Sequence, residues 1–108
     1  MALVMVAGIS PAEDLMKDIA RTLEVAGHHV SLHFGEAGLN EHPNWASAEL
    51  LVTILCKCGS AEMQMAPKLR SVVSPLIGFD WIDVLAADAA GILVVNGLLK
   101  DDAMKLCA

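Results

Sequence analysis

The stretch from Ser71 to Gly97, SVVSPLIGFDWIDVLAADAAGILVVNG, leaves a chain few ways to fold. Ser71 to Ser74 is a short, partly apolar run stopped by Pro75, whose ring nitrogen has no proton to give to a sheet. Asp80 can cap a helix that runs to about Ala90, with Asp83 in its first turn, and Gly91 ends it. Ile92 to Val95 is a second apolar run, and Asn96-Gly97 turns out of it. Two buried strands joined by a helix predict a βαβ unit, with parallel strands in a sheet covered on both faces.

The residues before it read as the half-sheet that such a unit completes. Ala2 to Ala7 is an apolar run ending at Gly8, and its Val content favours a strand buried on both sides. Ser10-Pro11-Ala12-Glu13 follows as a helix start, with Ser10 as cap, Pro11 in the first turn and Glu13 closing a capping box. Leu15, Ile19, Leu23 and Ala26 recur at helical spacing, Lys17, Asp18, Arg21 and Glu24 fall opposite, and Gly27 stops the helix. His28 to Phe34 alternates, with Val30, Leu32 and Phe34 on one side, as a half-buried edge strand does. Gly35 to Ser47 is the one long irregular region, with a short helix or turn around Pro43 to Ala48 and Trp45 as its anchor to the core. Leu50 to Cys56 reads as a central strand and Lys57-Cys58-Gly59 as the loop after it. Ser60 caps a short helix through about Met65, and Pro67 cannot continue it. The tail, Leu98 to Ala108, reads as a last helix, with Asp101 and Asp102 near its start and Lys105 near its end.

Strands alternating with helices predict an α/β fold: one flavodoxin-like domain over residues 1–108, a three-layer sandwich on a five-stranded parallel sheet in the order 2-1-3-4-5. At 56% hydrophobic residues the chain has ample material for such a core. A net charge of −6 argues against nucleic acid, since nothing here neutralises a row of phosphates. No run reaches the roughly 18 apolar residues of a membrane span. MALVMVAGIS lacks a basic start and reads as a strand, not a leader, so the three cysteines are expected as free thiols in the cytoplasm.

Few residues carry chemistry on spacing alone. Cys56-x-Cys58 supplies at best half of a tetrahedral metal site and reads as a buried strand-end thiol beside a loop thiol. His28, His29, His33 and His42 are local to one edge and read as a solvated face. Asp80 and Asp83 read as helix-start residues, not as a catalytic carboxylate pair. A phosphoacceptor site would need acidic residues where Gly8-Ile9-Ser10 and Cys56-Lys57 stand. A flavin-phosphate loop would need more Ser and Thr than Gly8 to Pro11 provide.

One resemblance goes further. Ala66-Pro67-Lys68-Leu69-Arg70, then Gly78-Phe79-Asp80-Trp81-Ile82-Asp83, then Ala86-Ala87, Gly91-Ile92 and Asn96 resemble, in order and spacing, the D-isomer-specific 2-hydroxyacid dehydrogenases. The likeness covers about Leu50 to Gly97. It implies the flavodoxin-like substrate domain of such an enzyme, in which the loop Lys57, Cys58 and Gly59 offers backbone amides to a substrate carboxylate. Ile77 and Gly78 would approach the cleft and Asn96 would contact substrate at the hinge. It also implies NAD for the complete enzyme, yet this chain has no G-x-G-x-x-G and no positions matching the family's catalytic Arg, Glu and His. The expectation is therefore no catalytic residue, no cofactor and no metal in this chain, no hydride transfer by it alone, and at most weak binding of a small 2-hydroxy or 2-oxo acid. The alternative is a stand-alone interaction module. It would pair as a homodimer through the surface left by the missing domain, with Leu98, Leu99, Met104 and Leu106 as candidates and exchange of the last helix as one form.

Overall fold

The computed structural model describes residues 3–34, 38–74 and 81–96. Its centre is a five-stranded, all-parallel sheet of β1 (Leu3–Gly8), β2 (His29–Phe34), β3 (Leu50–Ile54), β4 (Ser71–Ser74) and β5 (Leu93–Asn96), in the order β2-β1-β3-β4-β5. This is the predicted flavodoxin-like order. The tail from Leu98 to Ala108, with its expected helix and apolar candidates, lies outside the described residues.

Alternation along each strand divides the core in two. Val4, Val6, Val52 and Ile54 point to one face and meet Met16, Ile19 and Leu23 of helix α1 (Glu13–Val25). Met5, Ala7, Leu51 and Val72 point to the other face. There they meet helices α2 (Ser60–Gln64) and α3 (Val84–Ala89) and the segment 38–48, through Met63, Ala87, Leu39, Trp45 and Ala48. The strands are apolar on both sides because both sides are covered.

Several element ends differ from their sequence expectations, each for a local reason. A 3-10 turn at Ser10–Ala12 closes through Ala12 N–H to Ile9 O (2.9 Å), so α1 begins at Glu13 with Ala12 in the cap position and no side-chain cap bond. Glu13 pairs along the helix with Lys17 (3.2 Å), an exposed contact of about 0.3–0.5 kcal/mol. Gly27 does end the helix. Its φ of +97° lets its own N–H reach Glu24 O (3.0 Å) while His28 N–H reaches Leu23 O (3.1 Å), which satisfies carbonyls the helix leaves open. Helix α3 starts at Val84, not near Asp80. Residues 81–83 are held extended by Cys58 N–H to Trp81 O (2.9 Å) and Asp83 N–H to Cys58 O (3.0 Å). Asp83 is thus the cap itself, its Oδ1 accepting from Ala86 N–H at 3.0 Å. Asp80 lies outside the described residues.

The irregular region holds two 3-10 turns, Leu39–Glu41 and Trp45–Ser47, folded against the β2 side of the sheet. That cover corrects the expectation of a solvated histidine face: His33 is 7% exposed, its ring edge-on to His42 with centroids 5.6 Å apart. His42 Nδ1 accepts from Asn44 N–H (3.0 Å), which leaves Nε2–H to donate to Leu32 O (3.1 Å). Burial, then the His33 ring, hold the His42 pKa below its ordinary 6.5, against a smaller upward pull from the Leu32 carbonyl. A lowered histidine pKa stabilises the fold above the unfolded value, and that contribution is lost as pH falls. Chemical denaturation at stepped pH is therefore expected to show stability falling below about pH 6.5, with a shallower slope in His42→Gln.

Candidate functional site

The site is built on the end of β3. The strand expected over Leu50 to Cys56 stops at Ile54, because Leu55 turns with φ +64°, a left-handed conformation that no strand continues through. The buried Thr53 hydroxyl closes the turn by donating to Cys56 O at 2.7 Å. Such a conformation costs a residue with a Cβ about 1–2 kcal/mol, and a β-branched side chain tolerates it least. Leu55→Val is therefore expected to destabilise the fold by about 1–2 kcal/mol, whereas Leu55→Gly, relieved of strain but losing partial burial, stays near wild type. Equilibrium urea unfolding gives the ranking, and a Val variant as stable as wild type would refute the strain.

After the turn the chain alternates. Cys56 and Cys58 point inward, 4% and 0% exposed, and Lys57 between them points to solvent. Burial first, and the Glu62 carboxylate second, push the Cys56 thiol up to about 11. Burial, then Glu62, then Cys56, push Cys58 up to about 12. Both therefore stay protonated at neutral pH, which suits packing and not nucleophilic chemistry. Among the described residues no group of three or more His, Cys, Asp or Glu could hold a metal ion.

Gly59, extended at φ −109°, takes the cap position of α2 where Ser60 was expected. Its N–H donates to Glu62 Oε1 at 2.6 Å, and Trp45 Nε1–H donates to Glu62 O at 2.8 Å, so Glu62 ties α2 to both the loop and the core. Between the Lys57–Glu62 segment and the Trp81–Asp83 strip lies an open cleft of about 660 Å³. Lys57 is its cation, and Glu62 and Asp83 are its carboxylates. Trp81 is half-buried there, with an indole Nε1 that has no hydrogen-bond partner among the described residues.

The structure thus brings Lys57 and Gly59 to the cleft with Cys58 beneath them, and commits two of the three expected amides internally: Cys58 to Trp81 O and Gly59 to Glu62. Asn96 closes β5 opposite Ser74. Ile77 and Gly78 lie outside the described residues. Sequence reasoning missed Glu62 and Trp81 as cleft residues. The Gly-x-x-Glu spacing from Gly59 to Glu62 was the legible sign of the first, and no spacing announced the second.

The cleft sits beyond the carboxyl end of the sheet, where open α/β folds bind ligands. No protein-family model matches the chain, and no curated protein matches it. Solved structures do. An NAD+-bound 3-phosphoglycerate dehydrogenase of Entamoeba histolytica aligns over 88% of this chain and 33% of its own, at 25% identity and TM-score 0.71. In structure, the chain resembles the D-isomer-specific 2-hydroxyacid dehydrogenases. An NAD-dependent formate dehydrogenase of Staphylococcus aureus (18% identity, TM-score 0.69, 86% of this chain, 30% of that one) shares the fold. So does a D-lactate dehydrogenase of Aquifex aeolicus complexed with NAD and lactic acid (20%, TM-score 0.67, 89% and 28%). The chain spans about a third of the length of these dehydrogenases, and its likeness is to their flavodoxin-like substrate domain.

The end of β1 offers no open nucleotide cradle. Gly8, at the end of β1, is where a nucleotide cradle would need open space, yet a Cβ there would lie 2.7 Å from Met16 Sδ. The side chain of α1 fills that space, and the 3-10 turn at Ser10–Ala12 follows at once. No described helix is long and apolar enough to cross a membrane.

Proposed function

We propose that this chain acts as the substrate domain of a D-2-hydroxyacid dehydrogenase, a half-site for a small 2-hydroxy or 2-oxo acid that performs no hydride transfer alone. The observation that carries the reading is the Gly59 amide, which lies on the loop the resemblance assigns to substrate and already donates to a carboxylate, that of Glu62. An incoming acid must displace that carboxylate in a cleft where Lys57 is outnumbered by Glu62 and Asp83. The cleft is open, so water stays in it and the contacts are screened. Affinity is therefore about millimolar or weaker. Free, protonated Cys56 and Cys58 accord with a reducing, cytoplasmic setting.

Pyruvate titrated into the isotope-labelled chain tests this by amide shifts. Saturable shifts at Lys57 to Gly59, tightened about tenfold or more in Glu62→Gln by removal of a charge-assisted competitor, are the expected result. No saturable shift in either protein would sink the reading. NADH is expected to leave the spectrum unchanged.

A second reading, a module that associates with itself, is favoured by the edge of β5, which ends the sheet with no partner on its outer side among the described residues.

A further inference from the structure

We propose that the segment 38–48 is a proton-sensitive strap on the cleft: a proton taken up by His42 unties it from β2 and, through Trp45 and Glu62, loosens the carboxylate that occupies the Gly59 amide. This is regulation of the half-site read above, and it rests on that reading.

The strap is held by its side chains. Its backbone bonds are local, such as His42 N–H to Leu39 O (3.0 Å) and Trp45 N–H to His42 O (3.1 Å). Among the described residues no backbone bond joins 38–48 to the sheet, and three side-chain bonds join it to other elements. His42 Nε2–H donates to Leu32 O at 3.1 Å, and Asn44 Nδ2–H donates to Ser31 Oγ at 3.0 Å. Trp45 Nε1–H donates to Glu62 O at 2.8 Å and ties the strap to α2.

His42 serves this hold only as a neutral ring. Asn44 N–H donates to its Nδ1 at 3.0 Å, so Nδ1 must keep its lone pair. A proton there sets two donors face to face, and Asn44, whose side chain grips Ser31, loses its backbone anchor. The surroundings oppose the cation, through burial first and then the His33 ring, edge-on at 5.6 Å. On the same face of β2 the other titratable group is His29, which is exposed, and Glu41 precedes His42 on its own segment, also exposed. Glu36 lies outside the described residues. The strap is therefore tied at neutral pH and released as pH falls below about 6.5.

From His42 the path to the cleft is short. His42 and Trp45 close one turn, and Trp45 is 1% exposed, so a turn that shifts carries its indole with it. The indole holds the Glu62 carbonyl, and Glu62 Oε1 accepts from Gly59 N–H at 2.6 Å, a short charge-assisted bond.

A proton–nitrogen NMR titration of the full chain from about pH 8 to 5.5, above the ordinary carboxylate range near 4.3, tests this with the His42 ring followed directly. The His42 midpoint is expected below 6.5. The Asn44 amide, the Trp45 indole and the Gly59 amide are expected to move with that same midpoint, the Gly59 proton upfield as its bond to Glu62 lengthens. His42→Gln, which can still accept from Asn44 and takes up no proton, is expected to flatten all three. Trp45→Phe is expected to keep the His42 and Asn44 responses and lose the one at Gly59. A His42 midpoint at or above 6.5 means that a carboxylate, Glu36 or Glu41, supports the cation, and overturns the strap. A Gly59 amide that stays still, or that moves equally in either variant, overturns the relay. The titration contains no pyruvate, so the relay can fail while the half-site stands, and a half-site that fails against pyruvate leaves this result readable.

Discussion

Trp45→Ala is expected to cost about 3–5 kcal/mol of stability, a large share of what a domain of this size has. Trp45 is 1% exposed and is the largest fully buried side chain among the described residues. Its removal opens a cavity under the sheet beside Leu39, Ala48 and Met63. It also strands the Glu62 carbonyl, which accepts from the indole at 2.8 Å. Glu62 in turn holds Gly59, so the damage should reach the cleft. Trp45→Phe keeps most of the volume and loses the hydrogen bond, and is expected to cost about 1–3 kcal/mol. Urea unfolding measures both, and amide shifts at Gly59 report the cleft. A loss under about 1 kcal/mol for the alanine variant would mean that segment 38–48 is not anchored as described.

Gly8→Ala is expected to cost about 1–3 kcal/mol, a large effect for one methyl group. A Cβ at Gly8 would stand 2.7 Å from Met16 Sδ, 3.2 Å from Met16 Cγ and 3.3 Å from Ile54 Cβ. A methionine end usually gives way, but Met16 is 0% exposed and Ile54 2%, so neither has space to move into. The strain has an internal control. Combining Gly8→Ala with Met16→Ala removes the clash, and the double variant should lose less than the sum of the two single losses. Additive losses would mean that α1 shifts freely on β1 and that the glycine has no packing role.

Much of this architecture is legible in local pattern. The apolar runs around Val4, Val52, Val72 and Val94 are strands because both sides of the sheet are covered, and Gly27 and Gly91, with φ of +97° and +74°, stop α1 and α3 where a left-handed residue must stand. The same local logic misplaced the ends fixed by distant partners. Asp80 had a cap's chemistry, but the contact of Cys58 with Trp81 and Asp83 keeps the chain extended and moves the cap to Asp83. His33 alternates like a solvent-facing residue and is buried by a segment whose fold no periodicity announces. In the candidate site, Lys57 and Gly59 were expected from the place of their loop in the family resemblance, whereas Glu62 and Trp81 became cleft residues only when two loops far apart in sequence met.

The sequence by itself determined the class of fold, the strand order, and the likeness to the D-2-hydroxyacid dehydrogenases, because periodicity and short motifs are written residue by residue. Only the tertiary structure decided how the loop amides are used. A hydrogen-bond donor goes to whichever acceptor the fold brings within reach, and for Gly59 that acceptor is Glu62.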